Sequence, residues 1–464
     1  MGPTAEQFDV VVIGGGPGGY AAALYGAAGG LNVAVVEKEK VGGTCLHRGC
    51  IPAKEFLETA AVYRTVAGAK EFGINSDQPT VDFAVSQARK QNVVDGLWKG
   101  LQGLMKRRKI TVVPGTGQLA RGKTVRVSDG SALKADKVIL ATGSVPRSIP
   151  GFDVDGKFVL TSDEVLSLDK LPSSVAVIGG GAIGCEFASM MSDLGVKVTL
   201  LEALPKLLAL CDSDVADVVA KSFKKRGIDV RVGVSNLAHT PGDKTTTVRW
   251  DGGEAEVEAV IVSVGRRPMS DGLLEDGTGV ELDERGFVRV DEYMRTGQEG
   301  VYAIGDVVST PQLAHVGFAE GILTIKDILG ESPVPVDYSA VPWCIYTHPE
   351  VAYAGLSEQA AKDAGMDIIV KKDPFIGNGR ALILGETEGL VKVIAQKMPD
   401  GKAGRILGVH MAGPWVTEQL GQAYLAVNWQ ATPDEIAQFI QPHPSLSETF
   451  GETVMALTGR GLHV

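Results

Sequence analysis

VVIGGGPGG (Val11 to Gly19) opens a stretch that closes on VAVVE (Val33 to Glu37), and the chain repeats the phrase as AVIGGGAIG (Ala176 to Gly184) closing on VTLLE (Val198 to Glu202). Gly14, Gly16, Gly19, Gly30 and Glu37 shift together onto Gly179, Gly181, Gly184, Gly195 and Glu202. Each copy reads as a buried strand, a glycine turn, a helix and a second strand ending in an acid, the first βαβ unit of a dinucleotide-binding fold. The first glycine turns the chain, the second lets a pyrophosphate approach, and the third packs helix on strand, while the helix N-terminus supplies amide donors. The terminal acids, Glu37 and Glu202, are expected to accept ribose hydroxyl bonds. Two dinucleotide sites follow, and an acid at the second would repel a 2′-phosphate, which favours NAD over NADP.

Between the copies lies GGTCLHRGCIPAK (Gly42 to Lys54), with thiols at Cys45 and Cys50. In a regular helix, α-carbons five positions apart are about 8 to 9 Å from each other, beyond the roughly 7 Å limit for a disulfide. If the thiols pair, the helix must break between them, and Gly49 supplies the freedom to do so, while Pro52 suits the first turn of a helix carrying Lys54. Lys54, one turn after Cys50, would bring a positive charge to a thiolate, and Glu186 is a candidate partner for it. Near the far end, QPHPSLSE (Gln441 to Glu448) stiffens the backbone around His443 with prolines, and Glu448 can hold the imidazole. That pair is the base half of a triad. Cys185, Cys211 and Cys344 read as buried free thiols.

At 464 residues the chain exceeds one hydrophobic core, so about three domains are expected. Hydrophobic content of 44% and 59 glycines fit an α/β enzyme with phosphate-binding turns. A formal charge of −11 argues against a nucleic-acid or anionic-membrane surface, and the run Lys106 to Lys109 reads as a solvated helix end. Five cysteines in so long a chain make no disulfide framework and suit a transient catalytic pair. No secretory signal pattern precedes the first strand, placed at Phe8 to Ile13, and glycines break the apolar stretch from Tyr20 to Val36, so a cytoplasmic protein is expected. KVILATG (Lys137 to Gly143) and AVIVSVG (Ala259 to Gly265) read as strands closing the two nucleotide units, and VYAIGDV (Val301 to Val307) as a third turn whose Asp306 is free for a cofactor chain. After Pro335 the pattern becomes that of an α+β unit with a long helix, Thr417 to Gln430.

These motifs, with ATGS (Ala141 to Ser144), LAH (Leu313 to His315) and THPEVA (Thr347 to Ala352), resemble the flavin-dependent pyridine nucleotide disulfide oxidoreductases over essentially the whole chain, and within them the branch that oxidises dihydrolipoyl groups. The resemblance implies two Rossmann-like domains, an FAD domain at 1–149 carrying the dithiol and an NAD domain at 150–269, then a segment at 270–340 completing the FAD site and a C-terminal α+β dimerisation domain at 341–464. FAD would occupy the first site, with Gly14, Gly16, Gly19, Glu37, Lys54, Gly117, Thr142, Gly143, Ser144, Asp306 and Ala314 along its length. NAD would take Gly179, Gly181, Gly184 and Glu202, with Gly265 closing over it. Cys50 would lie against the flavin, Cys45 would form the mixed disulfide with substrate, and His443, held by Glu448, would reach the dithiol of the opposite subunit in a homodimer. The implied partners are lipoyl domains of 2-oxoacid dehydrogenase or glycine cleavage complexes. The chain departs from the family pattern at His47, Ala53 and Gln441, where asparagine, serine or threonine, and histidine are common.

Glutathione-type reductases carry arginines for the NADPH phosphate where this chain has Glu202-Ala203-Leu204. A flavin-dependent NADH:quinone reductase would use the same electron path without a thiol substrate. Cys45, His47 and Cys50 could be three ligands of a structural zinc, but no fourth stands at a usual spacing, so no metal site is expected.

Overall fold

The structure, a computed structural model, describes residues 6–463. Its first sheet is built on strand Glu6–Ile13, which runs parallel to Val33–Glu37 on one side and to Ala132–Leu140 on the other. Val10, Val11, Val12 and Ile13 are buried, as a strand covered on both faces must be. Thr111–Pro114 extends the parallel edge, and Gly117–Ala120 and Thr124–Val127 turn back antiparallel beyond Ala132–Leu140. Val301–Ala303 returns from far along the chain to pair in parallel with Ala132–Leu140, with Val301 opposite Val138. The Gly305–Val307 turn is thereby brought beside the first glycine turn.

The second copy builds its own five-stranded parallel sheet, in the order Asp229–Val232, Lys197–Glu202, Ser174–Ile178, Ala259–Val262 and Val159–Leu160. A small antiparallel meander, Ala238–Pro241, Thr246–Trp250 and Gly253–Val257, is attached to it. Two short strands, Ser144–Pro146 and Arg266–Pro268, pair antiparallel where the chain passes between the two units. From Trp343 onward a five-stranded antiparallel sheet carries helices Val416–Asn428 and Glu448–Leu457. The architecture is the α/β fold expected, two Rossmann-like units and a C-terminal α+β unit. The long helix starts at Val416, directly behind Trp415 at φ +50°, and stops at Asn428, because Trp429 caps it and Gln430 takes φ +53°. Among the described residues, no helix is long and apolar enough to cross a membrane.

Candidate functional site

The two glycine turns are backbone copies. Gly14 has φ +106° and Gly179 φ +107°, a left-handed conformation that suits glycine. A Cβ on Gly14 would also lie 2.2 Å from the Ala141 carbonyl oxygen. The third glycine is equally constrained: a Cβ on Gly19 or Gly184 would sit 1.9 Å from the carbonyl oxygen of Gly14 or Gly179. Helices Pro17–Ala28 and Ala182–Asp193 start behind Gly16 and Gly181 with no side-chain cap, so their first-turn amides stay open to an anion. The acids behave alike too. Glu37 accepts from the amides of Gly15 (2.7 Å) and Glu39 (2.8 Å), and Glu202 from those of Gly180 (2.5 Å) and Leu204 (2.7 Å). Each carboxylate braces its own turn, a use the sequence reading did not foresee.

The helix break demanded by the thiol spacing is present. Gly43–Arg48 and Cys50–Gly68 are separate helices joined at Gly49, which leaves helical angles (φ −144°, ψ −109°). A Cβ there would approach the Thr44 carbonyl oxygen to 3.1 Å. The bend lets the Cys45 thiol hydrogen-bond Cys50, and both residues are half-buried. Cys50 is the first residue of its helix, where amide dipoles favour an anion. The bond from Cys45, opposed by burial and aided by Lys54, brings the Cys50 thiol down to about 7, while the same bond and burial push Cys45 up. The helix start and Lys54 thus favour an anion at Cys50 over Cys45.

Lys54 Nζ lies 2.9 Å from each Glu186 carboxylate oxygen and over the Tyr346 ring, 4.8 Å from its centroid. Glu186 also accepts from the Tyr346 amide at 2.8 Å. One lysine thus ties the dithiol helix to the second nucleotide unit and to the C-terminal unit. Tyr20 faces the thiols from the first helix, its phenol raised to about 12 by burial and then by the two cysteines. Neither Tyr20 nor Tyr346 carries a motif signal.

Asp306 Oδ2 accepts a 2.6 Å bond from Ser144 Oγ, which leaves its other carboxylate oxygen for a further donor. The next bonds outward lead to Arg266, which no sequence motif marks. Behind Asp306, Glu320 is wholly buried and accepts from the Gly305 amide (2.6 Å) and the Tyr338 hydroxyl (2.8 Å), which anchors the turn. Gln312 Nε2 is buried without a hydrogen-bond partner, just ahead of helix Ala314–Ile328, which also starts uncapped. A polar atom left unpaired in the interior beside an open helix start fits an extended polar ligand across this surface. Thr142 Oγ1 donates to the Met269 carbonyl (2.7 Å), and Gly143 (φ +75°) and Gly265 (φ +103°) turn the chain at each sheet's end. Gly117 packs a bare Cα against Ile13 and Val36.

His443 and Glu448 meet as expected. Nδ1 lies 2.7 Å from Glu448 Oε1, while Oε2 accepts from the Ser445 amide at 2.6 Å. With Nδ1 donating, Nε2 is left as the acceptor. The imidazole is 78% exposed, and among the described residues of this chain its ring bonds only Glu448. The structure does not bring it to Cys45 within one chain. His47 is turned away from the thiols, with Nε2 3.0 Å from the Val41 carbonyl oxygen and its ring edge-on to Trp98. Among the described residues no group of His, Cys, Asp or Glu is placed to hold a metal ion. Cys185 and Cys211 are buried, but Cys344 is only half-buried, its thiol raised to about 11 by burial.

Two nucleotide-binding folds around a polarised dithiol define a class of redox protein that moves electrons between sulfur and a dinucleotide. The chain belongs to the pyridine nucleotide-disulphide oxidoreductases: the family model matches residues 8–321, and the family's dimerisation-domain model matches 341–454. It is 42% identical to a dihydrolipoyl dehydrogenase of Bacillus subtilis, over 99% of this chain and all of that one. Another from Chlamydia pneumoniae is 38% identical, covering 99% of this chain and 98% of its own length. Among solved structures, LpdA from Mycobacterium tuberculosis superposes with a TM-score of 0.89 at 26% identity, over 98% of this chain and all of that chain. The HOCl-induced flavoprotein disulfide reductase RclA from Escherichia coli, as its Cu(II) complex, gives 0.87 at 26% identity, over 97% and 99%.

Proposed function

We propose that this chain is a dihydrolipoyl dehydrogenase, oxidising a protein-bound dihydrolipoyl group with NAD⁺ through the Cys45–Cys50 pair and FAD. The observation that carries this is the polarised dithiol beside the first glycine turn, and the full-length relatives of that activity support it. FAD would be held by Gly14, Gly16, Gly19, Glu37, Gly117, Thr142, Gly143, Ser144, Asp306 and Ala314, with Lys54 beside its ring, and the open amides, bare glycine surfaces and orphaned Gln312 suit it. Bound FAD would supply a two-electron relay between the reduced pair and NAD⁺. NAD⁺ would take Gly179, Gly181, Gly184, Glu202 and Gly265.

In the oxidised protein, one sulfur of the substrate dithiol attacks Cys45, the Cys45–Cys50 bond breaks, and Cys50 leaves as the thiolate that its helix start and Lys54 favour. The second substrate sulfur then displaces Cys45, closing the substrate disulfide and leaving the pair reduced. Nε2 of the partner subunit's His443 accepts the substrate thiol proton, and Glu448 keeps the ring in the required tautomer. Exposure of His443 in the single chain supports a homodimer in which it meets the other subunit's dithiol. The implied partners are lipoyl domains of 2-oxoacid dehydrogenase or glycine cleavage complexes, in the cytoplasm.

The test is a steady-state assay of the purified yellow protein with dihydrolipoamide, glutathione disulfide and thioredoxin, each with NAD(H) and NADP(H). Turnover of dihydrolipoamide with NAD⁺, lost in Cys45→Ser, is expected. Preference for glutathione disulfide, or lipoamide turnover surviving that substitution, would refute the reading.

A further inference from the structure

We propose that Arg266 is a positioning residue that holds Asp306 for the flavin through Ser144. Arg266 Nε donates to Ser144 Oγ at 2.7 Å and Nη2 to the Ser144 carbonyl at 2.7 Å, so one guanidinium grips both ends of the residue. Ser144 Oγ in turn donates to Asp306 Oδ2 at 2.6 Å. With Arg266 supplying a donor to that oxygen, the hydroxyl proton has one direction left, toward the carboxylate. Arg266 Nε is itself 3.8 Å from Asp306 Oδ2, close enough for its charge to favour the ionised acid.

The guanidinium is only 12% exposed, and burial opposes its charge. A buried charge is retained where its partners satisfy it, and the partners here are Ser144 and Asp306. Its origin adds weight. Arg266 lies just beyond the strand that closes the second nucleotide unit, and it reaches Ser144 because Arg266–Pro268 pairs antiparallel with Ser144–Pro146. A lysine offers a point charge and could reach Ser144 Oγ, but it lacks the fork that also holds the carbonyl.

The inference rests on the reading of Asp306 as a flavin ligand. The experiment is a double-substitution cycle on flavin release from the purified holoprotein, using Arg266→Gln, Asp306→Asn and the pair, followed by dialysis in mild chaotrope and flavin absorbance. Arg266→Gln is expected to speed release about tenfold, the order for one lost charge-assisted hydrogen bond. Arg266→Lys should recover part of that. The double variant should release flavin no faster than Asp306→Asn alone, because both act through one carboxylate. If the two effects multiply, or if Arg266→Gln releases flavin at the parent's rate, Arg266 does not act through Asp306 and the proposal falls. Should Arg266→Gln fail to fold, Arg266→Lys with Asp306→Asn completes the same cycle. A parent protein that binds no flavin would instead sink the reading of the first site.

Discussion

The two nucleotide units share a backbone and differ in what surrounds it. In the first, Gly16 lies under the dithiol loop so closely that a Cβ on Gly43 would come within 2.6 Å of its Cα. Helix Ala314–Ile328 also crosses the first helix on small residues, where a Cβ on Gly321 would meet the Gly18 carbonyl at 2.8 Å. In the second, a Cβ on Gly181 would meet nothing within 4 Å, and Ile183 and Leu204 stand exposed. One turn is roofed by the chain and its copy is open. Enclosure buries more of a ligand and slows its escape, whereas an open turn lets a ligand exchange each cycle. Identical phosphate-binding backbones can thus serve a resident group and a passing coenzyme, the difference lying in neighbours rather than in the fingerprint.

The sharpest way to break that contrast is to damage both turns alike. Gly19→Ala and Gly184→Ala each drive a methyl into a carbonyl oxygen. The first should yield protein stripped of flavin and without turnover. The second should stay yellow while KM for NAD⁺ rises by about a hundredfold or more, read from flavin absorbance and steady-state kinetics. Colourless protein from both would erase the distinction. Next in size is coenzyme choice. Glu202→Ala should raise kcat/KM for NADPH relative to NADH by about tenfold, since a carboxylate no longer opposes the 2′-phosphate. Glu37→Ala should lower flavin content and leave that ratio unchanged.

A smaller effect probes the roof. The Cys50 thiol, lowered to about 7, is half thiolate near neutral pH, so alkylation of the reduced protein should rise through pH 6 to 8. Lys54→Met should move that midpoint upward and cut the rate at pH 7 by about fivefold. An unchanged profile would assign the thiolate to the Cys45 hydrogen bond alone.

A last effect, on stability rather than rate, concerns the flank of the second unit, where Arg226 donates to the His348 carbonyl at 2.7 Å. Burial, then Arg64, Arg226 and Lys225, holds His348 down at about 3, against the Glu386 carboxylate 3.7 Å from its Nδ1. The unfolded chain then binds the extra proton between about pH 3 and 6.5, so this contribution is complete above 6.5 and shrinks as pH falls. At pH 5 the loss is at most about 2 kcal/mol. The apparent unfolding midpoint should drop a few degrees from pH 7 to 5, and less in His348→Gln; equal drops would remove His348 from the account.

Much of the fold was legible because its signals are short-range. The glycine positions, the acid at the end of each second strand and the break at Gly49 follow from steric limits within a few residues, and the structure carries each of them. The meeting of His443 with Glu448 was legible for the same reason. The site's wiring was less so. Glu186 was named only as a candidate partner of Lys54, 132 positions away, and a helix-start acid is ordinary. Arg266 and Tyr346 were invisible because their partners lie on other domains and no local pattern announces them. That Ser144, 162 positions earlier, would reach Asp306 had no local signal either.

The sequence alone determined two dinucleotide turns, a dithiol that must bend its helix and a histidine with a carboxylate to hold it, since backbone sterics and nearest-neighbour hydrogen bonds act over a few residues. Only the tertiary structure decided that one turn is roofed and the other open, that Lys54 and a helix start favour an anion at Cys50, and that Arg266 grips Ser144. Those outcomes depend on which surfaces exclude water from which charges, and burial is set by segments that meet only after the chain has folded.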